Sequence, residues 1–334
     1  MNYLFRLLLI LAAITFAKPG LSWDPQGHAL VGSIADQLLT ENARSRVRDI
    51  AGFNLQAAAK WPDCVRSVER APDGSFKYNR NTPYQAPCDD FMASSEVARM
   101  EDYARRNWNN CVYSPGHGCH ETYHFADVPI QRGAYSRSFY GTNDHDVVSA
   151  LGAAIDVLYG KKPPTPFSIK DKKEAVFLLA HFVGDIHQPL HVGSVYLDPN
   201  GALIDPSKAV DGVEEAETRG GNAILMDGKN LHAAWDDVPE TWTIELMPSL
   251  LSGAKGVPAT AGQIEIWPFL WASESVKVAG DAFRDLKFTP KHGGRWTAIP
   301  SNAANYKAEQ DRLKKEQIAK AGARLAAVLN TIWP

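Results

Sequence analysis

The chain lacks several things that would each have pointed elsewhere. Its opening apolar run, Leu7 to Phe16, is closed off by Lys18 and Pro19, short of the about 18–20 residues a membrane anchor needs. It has no basic excess: 35 Lys and Arg stand against 38 Asp and Glu, a formal net charge of −3. That excludes the positive footprint with which many proteins grip nucleic acid through its phosphates. Thiols are scarce too. Cys64, Cys88, Cys111 and Cys119 are the four cysteines, and none shows the close paired spacing of a structural zinc site. Internal repeats and low-complexity tracts are also missing. Alternating strand patterns are confined to short pieces around 191–197 and 222–226.

What remains at the start reads as a secretory signal over residues 1–22. Arg6 supplies the positive region, the apolar run has signal length, and Gly20-Leu21-Ser22 offers small residues for cleavage after Ser22. Cleavage would make Trp23 the mature N-terminus, and a free α-amino group with a pKa near about 8 is easily deprotonated by a neighbouring metal. It would remove two of the basic residues and none of the acidic ones, moving the net charge to −5. A secreted or periplasmic location follows, and such compartments permit disulfides. Four cysteines allow three pairings; Cys64–Cys88 with Cys111–Cys119 gives the shortest loops.

Helical periodicity dominates the rest, in a chain whose 334 residues and 45% hydrophobic content suffice for a large core. Helices are expected over 28–39, 40–50, 89–108, 170–187, 241–251, 262–285 and 302–332. Another is expected after Asn143, with Ser301 as the cap of the last. The segments 66–88, 192–221 and 286–300 read as loops. The expectation is an all-α fold, one large helical domain over 23–334 with long functional loops.

The chemistry concentrates in His181-Phe182-Val183-Gly184-Asp185-Ile186-His187-Gln188-Pro189-Leu190-His191. His181 and Asp185 are four apart, so a helix projects both from one face. Pro189 ends that helix, and His191 lies beyond it. His232 and Asp236 repeat the spacing. Imidazole and carboxylate are the donors of hydrolytic zinc or manganese centres. Four further blocks accompany them: Trp23 to His28, Trp61-Pro62-Asp63 with Arg66, Tyr123-His124-Phe125-Ala126-Asp127, and Gly220-Gly221-Asn222. Taken singly, each has a plainer explanation. His28 could cap or pack against its helix, Asp63 and Arg66 could be a solvated pair, and Phe125 could be ordinary core. His187 faces away from Asp185 and is expected to be structural, and His120 is expected to be an exposed loop residue.

In this order the blocks resemble the type I nucleases, zinc-dependent single-strand-specific nucleases and 3′-nucleotidases of fungi, plants and bacteria, related in fold to zinc-dependent phospholipase C. The resemblance runs from Trp23 to about Trp235 and implies an all-α fold with three Zn²⁺. It implies that Asp63, His124, His181 and Asp185 hold one zinc. The amino group and carbonyl of Trp23, with His28 and Asp185, would hold a second, and His191, His232 and Asp236 the third. It also implies that Asp63 orients the attacking water and Arg66 neutralises phosphate charge. Phe125 would stack a base, Asp127 would bond its edge, and Asn222 would touch phosphate or base. Single-stranded DNA, RNA and 3′-nucleotides are the implied substrates, cut to 5′-phosphorylated products. A phospholipase C acting on headgroup esters is the alternative enzyme; Asp236 where that family has Glu, and the Phe125–Asp127 block, favour nucleic acid. A catalytically silent metal-binding protein would have no use for Arg66. The cysteine-bearing stretch from Cys64 to Cys119 departs from the familiar pattern.

Overall fold

Helix α1 (Pro25–Leu38) begins where local chemistry dictates: the Asp24 carboxylate accepts from the Gly27 N–H at 2.8 Å, and Pro25 presets the first turn. The computed structural model describes residues 23–81, 88–111, 117–206 and 213–334; the expected signal over 1–22 lies outside the described residues. Thr40 caps α2 (Glu41–Ala51), and the short α3 (Leu55–Ala58) and α4 (Trp61–Val65) follow.

The segment 66–88, expected as a loop, contains β1 (Val68–Arg70) paired antiparallel with β2 (Phe76–Tyr78). Three-residue strands are too short to register as an alternating pattern. The helix expected over 89–108 is divided into a 3-10 turn at Asp89–Phe91 and α5 (Ser94–Arg106). A 3-10 helix over Cys119–His124 leads to β3 (Val128–Pro129). Helix α6 (Val147–Leu158) is capped by Asp146, whose carboxylate accepts from the Ser149 N–H at 3.0 Å. Asn143 instead closes a local turn by accepting from the His145 N–H.

Helix α7 (Lys172–Asp185) is buried from Glu174 onward and packs against α1, α2, α6 and α12 (Ala303–Ile332). β4 (Gly193–Ser194) pairs in parallel with β3 just after it. The remainder comprises α8 (Val213–Ala216), β5 (Ile224–Met226), β6 (Lys229–Asn230), α9 (Leu231–Asp236), α10 (Pro248–Lys255), α11 (Trp267–Phe283), β7 (Leu286–Phe288) and β8 (Trp296–Pro300). Pro248 fixes the start of α10 later than the expected residue 241. The last helix is capped by Asn302, accepting from the Asn305 N–H, and not by Ser301.

The fold is thus mostly helical, as expected, with the β1–β2 and β3–β4 pairs and a four-stranded sheet in the order β6-β5-β8-β7 among the described residues. Half of that sheet lies in the segment 286–300 that reads as loop. The large core gathers α1 to α7, α10 and α12 around Trp61, Phe177 and Ile34, and a smaller one packs Leu231, Trp235, Phe283 and Trp296 beneath the sheet. Among the described residues no helix is long and apolar enough to cross a membrane.

Candidate metal centre

The buried end of α7 delivers His181 and Asp185 to the same point: His181 Nε2 lies 3.1 Å from Asp185 Oδ2. His124, at the end of its 3-10 helix, brings Nδ1 to 3.0 Å from that oxygen and 2.9 Å from His181 Nε2. Asp63 on α4 approaches His181 Nε2 at 3.9 Å. His28 stacks on His181 at 3.7 Å between ring centres and turns Nε2 to 3.4 Å from Asp185 Oδ1. One oxygen of Asp185 therefore faces each of two adjoining groups, His28/His181/Asp185 and Asp63/His124/His181. Gly184 allows this approach, because a Cβ there would stand 2.9 Å from His28 Nδ1.

The third group is His191, His232 and Asp236. His191 Nε2 and His232 Nε2 each lie 3.6 Å from an oxygen of Asp236. Gly220 is required beside it: with φ at +57°, a Cβ would sit 2.1 Å from the Leu190 carbonyl and 3.0 Å from His232 Nδ1.

Three imidazoles are oriented the same way. Nδ1–H donates to a main-chain carbonyl, of Ala59 for His181, of His124 for His191 and of Gly220 for His232. Each Nε2 lone pair is thereby left facing its group, the arrangement that fixes tautomer and ring angle in metal-binding histidines. Asp185 Oδ1, His191 Nε2 and Asp236 Oδ2 are buried without a hydrogen-bond partner among the described residues. Each such atom costs about 1–3 kcal/mol unless something satisfies it. Divalent cations, one in each of the two groups concerned, would satisfy all three, and mixed imidazole and carboxylate donors suit zinc. The residues fit metal.

The charges of the groups depend on one another. Burial alone would raise the Asp185 carboxyl, but His181, His191 and His124 hold it well below the usual range, and Asp63 is similarly lowered against its burial by His181, His28 and Arg66. Burial holds His28, His124 and His232 below the ordinary imidazole value, whereas the neighbouring carboxylates, against burial, raise His181 and push His191 up to about 9.

Comparison with known proteins now decides the class. The S1/P1 nuclease family pattern matches residues 23–334. The chain belongs to the S1/P1 nuclease family. Endonuclease 2 of Arabidopsis thaliana is 23% identical over 362 aligned positions, covering 98% of this chain and 96% of the relative. Endonuclease 5 of the same plant is 22% identical, covering 94% and 91%. As a member of this family the chain is a nuclease, a hydrolase acting on phosphodiester bonds.

The other expected site residues border the centre of this S1/P1 nuclease. Arg66 Nη1 lies 3.6 Å from Asp63 Oδ1. Phe125 is half-buried beside His124, and Asp127 is 7% exposed. Burial, with Glu217 adding to it against Arg219, pushes the Asp127 carboxyl up to about 7. The Asn222 amide is used within its own loop: Nδ2 donates to the Arg219 carbonyl and Oδ1 accepts from Asn230 Nδ2. Asn230 caps α9, so Asn222 ties the Gly220 turn to the helix bearing His232 and Asp236.

Trp23 is fully buried, its indole N–H donating to the Gly184 carbonyl at 2.9 Å, and the Asp24 N–H donates to the Asp236 carbonyl at 3.0 Å. The cysteines pair as Cys64–Cys88 and Cys111–Cys119. Each bridge abuts a site element: Cys64 follows Asp63, and Cys119 opens the 3-10 helix that ends at His124.

His120 corrects the expectation of an exposed loop residue. It is 3% exposed, edge-on to Trp108 and stacked near Tyr103, because Cys119 and Asn107 draw its backbone inward. His187 does face away. Its Nδ1–H donates to the Val183 carbonyl, and Nε2 accepts from Arg324. Gln188 and Lys314, which carry no sequence signal of a site, are both buried against the elements of the third group.

Proposed function

We propose that this nuclease is a zinc-dependent endonuclease that cuts single-stranded DNA and RNA to 5′-phosphorylated products and also removes the phosphate of 3′-nucleotides. The observation that carries the reading is Asp185, with one oxygen turned to each of two adjoining His/Asp groups and a third group at hand. Asp63, His124, His181 and Asp185 would hold one zinc. His28, Asp185 and the amino group and carbonyl of Trp23 would hold a second, and His191, His232 and Asp236 the third. When bound, zinc supplies Lewis-acid polarisation of phosphate oxygens and a water acidic enough to ionise near neutral pH.

The chain's own residues do the rest. Asp63 accepts a hydrogen bond from the attacking water and fixes its line of approach. Arg66, within reach of Asp63, offers its guanidinium to the phosphate oxygens as charge builds there. Phe125 gives a base a surface to stack on, worth about 1–3 kcal/mol for any base. Asp127, largely protonated below about pH 7, can then donate to the base edge as well as accept from it. A base must leave its duplex to reach this platform, which disfavours paired substrate. Asn222 would reach substrate only by giving up its loop contacts, so its first effect is on the third group.

The location proposed is secreted or periplasmic after cleavage behind Ser22, which the two disulfides support. Rates on single-stranded DNA, duplex DNA, RNA, 3′-AMP and phosphatidylcholine, before and after chelation and with zinc restored, test the whole reading. Single-stranded substrates and 3′-AMP should be cut only with zinc. Preference for phosphatidylcholine, or chelator-resistant cleavage, would overturn it.

A further inference from the structure

Gln188 follows the helix that carries His181 and Asp185 and precedes the turn that carries His191. It is fully buried. Its Oε1 accepts from the Leu190 N–H at 2.6 Å, capping the 3-10 turn Pro189–His191. That contact fixes which end of the amide is which, since only oxygen can accept there. Nε2 is thereby aimed at Asp236 and donates to Oδ1 at 2.6 Å. Asp236 Oδ2, which has no hydrogen bond among the described residues, faces His232 Nε2 at 3.6 Å. One side chain thus sets two of the third group's three ligands, from a position between that group and Asp185.

The backbone of the same ligand helix is held from the far end of the sequence. α9 has six residues, too few to be stable by itself. Lys314 of α12, 1% exposed, donates from Nζ to the carbonyls of Ala234 at 2.8 Å and Asp237 at 2.7 Å. Gln310 donates to the Ala234 carbonyl as well, and the Trp235 indole donates to Tyr306 Oη. A buried ammonium is costly to desolvate unless its donors are used. Here they meet carbonyls at the C-terminal end of a helix, where a cation is favoured.

We propose that Gln188 and Lys314 are positioning residues for the third metal group, Gln188 aligning His191 and the Asp236 carboxylate and Lys314 holding the main chain that carries His232 and Asp236. The inference rests on the metal reading above. Removing a partner of a metal ligand typically weakens metal affinity about 10–100-fold.

The experiment is a zinc titration of the metal-free chain in competition with a chromophoric chelator, on wild type, Gln188→Met, Gln188→Glu and Lys314→Met. Unfolding midpoints of the metal-free proteins are recorded alongside. Wild type should take up three zinc ions. Each variant should bind two with unchanged affinity and the third about 10–100-fold more weakly, with nuclease activity recovered when free zinc is raised by the same factor. Gln188→Glu keeps the oxygen that Leu190 uses and sets a carboxylate oxygen against Asp236 in place of the donor, so it serves if Gln188→Met disturbs folding. Three unchanged affinities in the Gln188 variants overturn the inference while leaving the function intact. Equal weakening of all three zincs with a lowered metal-free midpoint also overturns it, since that marks a merely structural role. A wild type that binds no zinc overturns the metal reading and this inference together.

Discussion

His181 and Asp185 stand on a helix buried along nearly its whole length, with ligand candidates arriving from α1, α4 and the 3-10 helix at Cys119–His124. His232 and Asp236 stand on six residues of helix launched from the edge of a four-stranded sheet, at the seam between the large core and the small one. Both pairs use the same i, i+4 spacing. The first is positioned by packing of long helices, the second by individual hydrogen bonds donated by Gln188 and Lys314 and accepted by Asn230 and the Gly220 carbonyl. Identical local spacing thus acquires its rigidity from different sources. The adjoining groups should behave as one coupled unit and the third as a separable one.

The largest expected effect tests that coupling. The adjoining groups share Asp185, so His181→Ala should remove its own metal, weaken the neighbouring one and reduce kcat/KM by about 10³-fold or more, the scale of losing preorganised charge stabilisation. A variant that retains all its metal by elemental analysis would break the comparison from one side. His232→Ala should remove only the third metal, with a smaller loss of about 10²-fold. Loss of every metal in that variant would break it from the other.

Next comes the N-terminus. With Trp23 anchored to Gly184 and Asp24 to Asp236, one extra residue ahead of Trp23 should empty one position of the adjoining pair and spare the third group. Equal zinc content in trimmed and untrimmed protein would contradict this. Gly220→Ala acts on the third group alone. The added methyl meets the Leu190 carbonyl and the backbone is strained by about 1–3 kcal/mol, so the third zinc should weaken while the other two hold, as isothermal titration would report.

The smallest effect concerns stability near the proposed base platform. Asp127 keeps its proton to about pH 7 in the folded chain and to about pH 4 when unfolded. Between those values the native state binds more protons, so this group makes stability fall as pH rises. Asp127→Asn should remove that part of the slope, gaining on wild type in chemical denaturation as pH goes from 4 to 7. A constant difference between the two across that window would contradict the assignment.

Much of the metal centre was legible because helical spacing is a local property: His181 with Asp185, and His232 with Asp236, could be paired by counting residues. Bringing His28, Asp63 and His124 to the same helix end required the family resemblance, since long-range convergence leaves no local trace. The supports were not legible. Gln188 lies inside the most conspicuous motif, but its task depends on Asp236, 48 positions on, and Lys314 reads as one more charge on an amphipathic helix. The burial of His120 is not legible either, because a disulfide and a backbone bond to Asn107, not periodicity, turn it inward. Cap assignments failed at Asn143 and Ser301 where a neighbouring Asp146 and Asn302 had the better geometry. The strands over 68–78 and 286–300 were missed because short paired segments depend on partners the pattern cannot display.

The most direct test is metal content joined to activity in one preparation of the trimmed chain. Three zinc ions per molecule, complete loss of cleavage of single-stranded oligonucleotides on chelation, and recovery on adding zinc are the outcome expected here. A folded, metal-free chain that cuts oligonucleotides at the full rate would contradict it.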